Sequence, residues 1–336
     1  MPDTPATIDE TPTLQPGVSR SGRIDLLDAL RGLALVAMAI YHFTWDLEFF
    51  GYVAAGTAGS GGWRLFARLI ASSFLFLAGY SLVLGHSPKF RGRAFLRRFA
   101  KIAGAAALIS IATWFALPQS FIFFGILHAI AAASLVGILF LRLPAPVSFL
   151  AAAAAFAAPL YLRSPLFDAP ALWWVGLSET IPRSNDYVPL LPWLAPFLLG
   201  LGTAKLLHPI FAAWARPAQT DRDRKLWIKP LAFGGRHSLA IYLIHQPLLI
   251  GLVYAFSLVV PAPLPDAAAT YRLNCEQACN RQESAITCST FCGCTLDRLK
   301  EQKLFEDLNQ GKIDLSSDER IARIATQCTM EAQSGD

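Results

Sequence analysis

At 336 residues, 54% hydrophobic and only 16% charged, the chain is too apolar for an ordinary soluble domain and reads as a polytopic helical membrane protein. Its formal charge of +5 does not make it a nucleic-acid binder, because the basic residues cluster in the connections between apolar runs, a signal of topology. Residues 1–22 are rich in Pro and Thr and lack the basic and apolar regions of a cleavable signal peptide, so they read as a disordered cytoplasmic tail.

The first apolar stretch, RIDLLDALRGLALVAMAIYHFTWD from Arg23 to Asp46, carries ionisable groups into a segment of membrane-spanning length. Each costs about 2.5 to 3.5 kcal/mol at the centre of a bilayer, so a site is the first reading to consider. Arg31 and His42 lie roughly 16 Å apart along a helix, which sets the arginine at one interface and the histidine deep in the slab. Asp46, four residues beyond His42, shares its face and is placed to orient the imidazole and raise its basicity. The alternative is that Arg31 snorkels, Asp46 sits at the outer interface and His42 bonds a neighbouring helix.

Apolar runs long enough to span follow near 64–85, 97–117, 121–142, 145–162, 189–207 and 237–260, giving about seven spans with the first at 26–50. Basic residues collect before the first span, between the second and third (Lys89, Arg91, Arg93, Arg97, Arg98, Lys101), at Arg142, and before the last (Lys205 to Arg236). Placing all of these in the cytoplasm requires an odd number of spans, with the N-terminus inside and the C-terminus outside. The expected architecture is therefore all-α: a transmembrane bundle over 23–260, followed by a small extracytoplasmic helical module over 261–336.

All six cysteines, Cys275, Cys279, Cys288, Cys292, Cys294 and Cys328, fall in that module. An even, clustered set outside the cytosol reads as disulfides. Each of the two CxxxC pairs would share a helix face, and an antiparallel hairpin would then join Cys275 to Cys292 and Cys279 to Cys288, leaving Cys294 for Cys328; the sequence leaves this as one choice among 15 possible pairings. A zinc site is disfavoured by the spacing and by the lack of a nearby histidine, and no metal is expected.

Two further histidines interrupt apolar helices, His128 in GILHAIAAASL and His245 in SLAIYLIHQP, and alternating helix directions allow all three to meet at similar depth. Three converging imidazoles suit general acid–base chemistry or a haem ligand set; the plain alternative is three separately satisfied helix-packing histidines. In the outer loop, SNDYVPLLPW over Ser184–Trp193 reads as a rigid segment offering Asp186 and Tyr187 to the mouth of a site, or as an interfacial aromatic anchor.

Taken in order, IDLLDALRGLALVAMAIYH, WRLFARLIASSFLFLAGYSL, GILHAIAAASL, NDYVPLLPW and SLAIYLIHQP resemble the heparan-alpha-glucosaminide N-acetyltransferase catalytic-domain family. The first and last also resemble the wider integral-membrane acyltransferase superfamily, in which a DxxRG helix start is followed about eleven residues later by a histidine. That resemblance, covering about residues 20 to 260, implies transfer of an acyl group, usually acetyl, from a cytoplasmic coenzyme A thioester to an acceptor presented outside. By position His42 matches the superfamily histidine, Arg31 the arginine and Asp28 the acid before it, while His128, Asp186 and His245 fall in family motifs.

The expectation that follows has His42, oriented by Asp46 or another carboxylate, acting as base or carrying the acyl group, with His128, His245 and Asp186 completing the catalytic set. Asp28, Arg31, Arg97, Arg98 and Arg236, with Lys101, would receive acetyl-CoA at the cytoplasmic mouth. Lysosomal relatives carry more spans and a luminal domain where this chain has a cysteine-bearing tail. An envelope sugar or glycolipid in a bacterial inner membrane therefore suits it better than heparan. A transporter or flippase lining a path with the same residues, and a b-type haem protein, stand as the alternatives.

Overall fold

The computed structural model describes residues 25–86, 89–214, 224–263, 266–279, 285–310, 312–313 and 318–334; the expected N-terminal tail and part of the basic connection before the last span lie outside them. The described residues form twelve α-helices with no strand, only an isolated bridge between Phe124 and Tyr187. They run α1 (Asp25–Phe49), α2 (Gly61–His86), α3 (Gly92–Ala116), α4 (Ile126–Phe140), α5 (Ala145–Tyr161), α6 (Leu190–Trp214), α7 (Arg224–Arg236), α8 (Ser238–Val259), α9 (Ala267–Cys279), α10 (Ala285–Glu301), α11 (Leu304–Asn309) and α12 (Glu319–Ser334).

Five helices, α1, α2, α3, α6 and α8, are long and apolar enough to cross a membrane, which makes this a multi-pass membrane protein. α4 and α5 are equally apolar but have only 15 and 17 residues. Large apolar side chains stand exposed along the bundle, among them Leu96, Ile111, Phe115, Leu150, Leu252 and Val259, as lipid-facing surfaces require. Proline sets several of the boundaries. α3 stops before Pro118 and α5 starts at Pro144, while Leu191 leaves helical geometry (φ −103°, ψ 130°) because the following Pro192 disfavours an α conformation there.

The centre of the bundle is the crossing of α2 and α6, where Leu75, Phe197, Leu198, Leu201 and Ala204 are fully or almost fully buried. The helices meet backbone to backbone. A Cβ on Gly79 would stand 2.0 Å from the Phe197 carbonyl oxygen, and one on Gly200 2.0 Å from that of Phe76. Lys205, further along α6, donates to the carbonyls of Phe140 and Leu143, so a cation closes the negative end of α4. α7, which the sequence presents only as part of a cationic connection, folds back along α1: Gly32 faces the Leu231 carbonyl and Gly235 faces that of Asp28.

The C-terminal module has its own small core of Leu296, Leu299, Leu304, Phe305, Ile321, Ile324 and Cys328. It is stapled by Cys275–Cys292, Cys279–Cys288 and Cys294–Cys328, the pairing that the shared helix faces suggest. A core this small gives little stability by itself. The Cys294–Cys328 bridge closes 34 residues and the Cys279–Cys288 bridge 9, which in the chain-entropy account are worth about 3.8 and about 2.6 kcal/mol. Replacing Cys294 and Cys328 together by serine is therefore expected to melt the module at lower temperature than replacing Cys279 and Cys288. Limited proteolysis between 285 and 334 at increasing temperature reads the order, and equal protection of the two variants contradicts it.

Candidate active site

The opening of α1 builds the basic end of the site. Asp28 is buried where α7 closes over it, and Arg31 Nη1 donates to its Oδ1 at 2.8 Å. Nη2 of Arg31 donates to Ser81 Oγ on α2, and that hydroxyl donates to the Leu77 carbonyl. A half-buried arginine is thus held by a carboxylate on its own helix and a hydroxyl on the next. Beside it opens a cavity of about 760 Å³ whose lining includes Asp28, Arg31, Arg97, Arg98, Lys101 and Arg236, drawn from α1, α3 and α7. All the positions expected to receive acetyl-CoA therefore share one cavity. Its walls are apolar (Leu77, Ile102, Ile130), and it extends to Ile126 at the start of α4 and Tyr242 in α8.

Those two residues lead to the polar groups deeper in the bundle. The Tyr242 carbonyl accepts from Nδ1 of His245 at 2.7 Å, and Nε2 of His245 lies 3.2 Å from Nδ1 of His42. The two rings are tilted at 45°, with centroids 4.9 Å apart. Nδ1 of His42 is also 2.5 Å from Oε1 of Gln246, whose Nε2 donates to Oδ1 of Asp46 at 2.7 Å. Asp46 is fully buried, and its Oδ2 has no hydrogen-bond partner among the described residues. Asp46 and His42 share a helix face as their spacing requires, but the carboxylate does not touch the imidazole, because Gln246 from α8 sits between them. Gln246 is the residue that sequence reasoning missed. Its only signal was its place between His245 and Pro247, the latter withholding the amide that would have bonded Leu243 inside α8.

The end of the site away from the basic cavity mouth is organised by the 185–188 segment. Asn185 N–H donates to the Ser120 carbonyl and Val188 N–H to that of Phe124, at 2.9 and 3.0 Å. Asp186 Oδ2 accepts the Ile126 N–H at 2.9 Å, so an acid caps the positive end of α4. A Cβ on Gly125 would stand 2.2 Å from that oxygen, which explains the glycine. Asp186 also lies within electrostatic range of the hydroxyls of Tyr41 and Tyr242, on the two helices that carry His42 and His245. His128 does not join that pair. Its Nδ1 accepts the Gly125 N–H at 3.2 Å, capping the entry into α4, and its Nε2 meets Ser110 Oγ on α3 at 3.2 Å, so both ring nitrogens are engaged away from His42. The expected meeting of three histidines is a meeting of two, because α4 needs the third for its own cap.

Over the same end, Glu48 accepts the N–H groups of Gly56 and Ala58 at 2.6 and 2.8 Å, and Tyr41 donates to the Ala58 carbonyl at 3.3 Å. The 50–60 loop is thereby clamped to the helix that carries His42. In the 162–189 loop, hydrogen bonds from the Ser178 hydroxyl and from the Thr180 and Glu179 amides hold the Asp168 carboxyl below the usual carboxylate range.

No residue cluster suited to a metal ion occurs among the described residues. The His42–His245 pair also does not fit a haem, since imidazoles in direct hydrogen-bond contact leave no space for a porphyrin between them. No curated protein and no solved structure matches the chain. Residues 23–247, which include every group from Asp28 to Gln246 described above, match the family model for heparan-alpha-glucosaminide N-acetyltransferase, catalytic. With 225 of its 336 residues matched, the chain belongs to that family of membrane acetyltransferases.

Proposed function

We propose that this protein transfers an acetyl group from cytoplasmic acetyl-CoA to an amine or hydroxyl of an extracytoplasmic acceptor, an envelope sugar or glycolipid. The observation that carries this reading is the cavity that begins among Arg31, Arg97, Arg98, Lys101 and Arg236 and ends at Ile126 and Tyr242, next to the groups that hold Asp186 and His245. The basic end suits the phosphates of coenzyme A, and the apolar walls suit its pantetheine arm with the thioester at the tip.

In the proposed reaction His42 removes the proton from the acceptor as its nitrogen or oxygen attacks the thioester carbonyl. The tetrahedral adduct collapses with cleavage of the C–S bond, and the departing thiolate takes up the proton held on the imidazole. In a two-step variant His42 first carries the acetyl group itself. The Lys and Arg distribution supports seven spans with the N-terminus inside, and the three disulfides support an extracytoplasmic module, periplasmic in a bacterial inner membrane. Membrane lipid, acetyl-CoA and the acceptor are the partners this implies.

The test is coenzyme A release in proteoliposomes supplied with acetyl-CoA, with D-glucosamine and a membrane-lipid extract as separate probe acceptors. Release that rises with an added acceptor, and mass spectra of that acceptor one acetyl heavier, are expected. Transport of acetyl-CoA or acceptor without release would replace this reading with a transporter. Arg97→Glu and Arg98→Glu are each expected to raise KM for acetyl-CoA at least tenfold, about what a charge-assisted hydrogen bond contributes. Initial rates against acetyl-CoA check this, and an unchanged KM in both would move the phosphates elsewhere.

A further inference from the structure

The buried acid and the imidazole nearest the reaction are joined through a neutral amide. We propose that Gln246 is a positioning residue through which Asp46 selects the tautomer of His42. This rests on the reading of His42 as the base. A carboxylate offers only acceptors, so the amide nitrogen of Gln246 faces Asp46 (Nε2 to Oδ1, 2.7 Å) and its oxygen faces His42 (Oε1 to Nδ1, 2.5 Å). That oxygen can only accept, so Nδ1 of His42 carries the hydrogen. A neutral imidazole has one N–H, and the lone pair is left on Nε2.

His245 points the same way. Its Nδ1–H is spent on the Tyr242 carbonyl at 2.7 Å, so the Nε2 that faces His42 at 3.2 Å is a second acceptor for the same hydrogen. Two acceptors thus converge on Nδ1 of His42, and each has its own polarity set by a different helix, α1 for Gln246 and α8 for His245. Gln246 carries no charge and takes no proton, so what passes from Asp46 to His42 is orientation alone. The arrangement explains why a fully buried acid is kept one residue away from the ring that it serves.

Exchanging the two polar ends tests this. In Asp46→Asn two amides face each other and pair in either direction, and in Gln246→Glu two acceptors face each other. Each single variant loses the polarity set through Gln246 and leaves His245 as the one fixed acceptor for Nδ1 of His42. In the double variant Asp46→Asn with Gln246→Glu, the new amide donates to the new carboxylate, whose other oxygen still accepts from Nδ1 of His42. Full-length variants in proteoliposomes are expected to lose roughly 10²-fold in turnover as singles, with KM for acetyl-CoA within twofold, and to recover at least tenfold as the double.

A second readout needs no acceptor. Carbethoxylation of His42 by diethyl pyrocarbonate, followed by peptide mass, reports the lone pair on Nε2. It should slow at least tenfold in each single and recover in the double. If a single fails to fold, Gln246→Met, which keeps the volume and removes both polar groups, must show the same losses. A double no better than the worse single, or a Gln246→Met protein with His42 modified at the wild-type rate, overturns the relay. His42→Ala separates the two levels. If it retains turnover the base reading fails, whereas if it is inactive while the relay variants behave as wild type, only the relay fails.

Discussion

His42→Ala is expected to reduce acceptor-dependent acetyl transfer by about 10² to 10⁴-fold, the range typical of losing a positioned general base. Its stability cost should be small by comparison. The substitution strands the Gln246 amide oxygen and one face of His245, worth about 1 to 3 kcal/mol for a buried acceptor left without its donor. Melting of the detergent-solubilised protein and initial rates on one preparation separate the two effects. His245→Ala is expected to cost less, because His245 supplies only one of the two acceptors that face His42 Nδ1. A His42→Ala protein that melts normally and still transfers acetyl at the wild-type rate would remove the chemical core of the proposal.

The largest effect on folding is expected from Gly200→Leu, followed by Gly79→Leu. At both positions the first atom of any side chain would lie 2.0 Å from a backbone carbonyl oxygen of the facing helix, and no rotamer relieves that. α2 and α6 would have to separate by an ångström or more through the best-packed part of the bundle, where Phe197 and Leu75 have no exposed surface. Overpacking of this kind costs about 1 to 3 kcal/mol for added methylenes, and more where backbone must move. Gly104→Ala and Gly251→Ala serve as controls. Nothing lies within 4 Å of a Cβ at either, so alanine should be neutral or stabilise by up to about 1 kcal/mol. Thermal shift in detergent measures the series, and a Gly200→Leu protein as stable as the Gly104→Ala control would show that the crossing is looser than its geometry.

How much of this was legible in the sequence depends on whether the signal is local. Asp28, Arg31 and His42 stand out because charge inside an apolar run is costly wherever the helix packs. The four-residue spacing of Cys275 with Cys279 and of Cys288 with Cys292 puts each pair on one helix face, a local fact, but the choice among the 15 pairings is made only when α9 and α10 pack antiparallel. Gln246 carries no charge and breaks no pattern. Its importance arises from Asp46, 200 residues earlier in the chain, and that pairing exists only after α1 and α8 meet. Gly79 and Gly200 look like any two glycines in membrane helices until their partners are known. His128 shows the converse: an intramembrane histidine that reads as chemistry is used by its own helix as a cap.

α4 spans about 22 Å at 15 residues, well short of a hydrocarbon core of roughly 30 Å. Lipid alongside so short a rod would be drawn thin, at a cost of fractions of a kcal/mol per ångström. With the proposed orientation, water and headgroups would dip inward above its first turn, where Asp186 meets the Ile126 amide. In the proposed reaction, an acceptor arriving from outside would find the thioester at the bottom of a shallow depression, with less oil to cross than the bulk membrane presents.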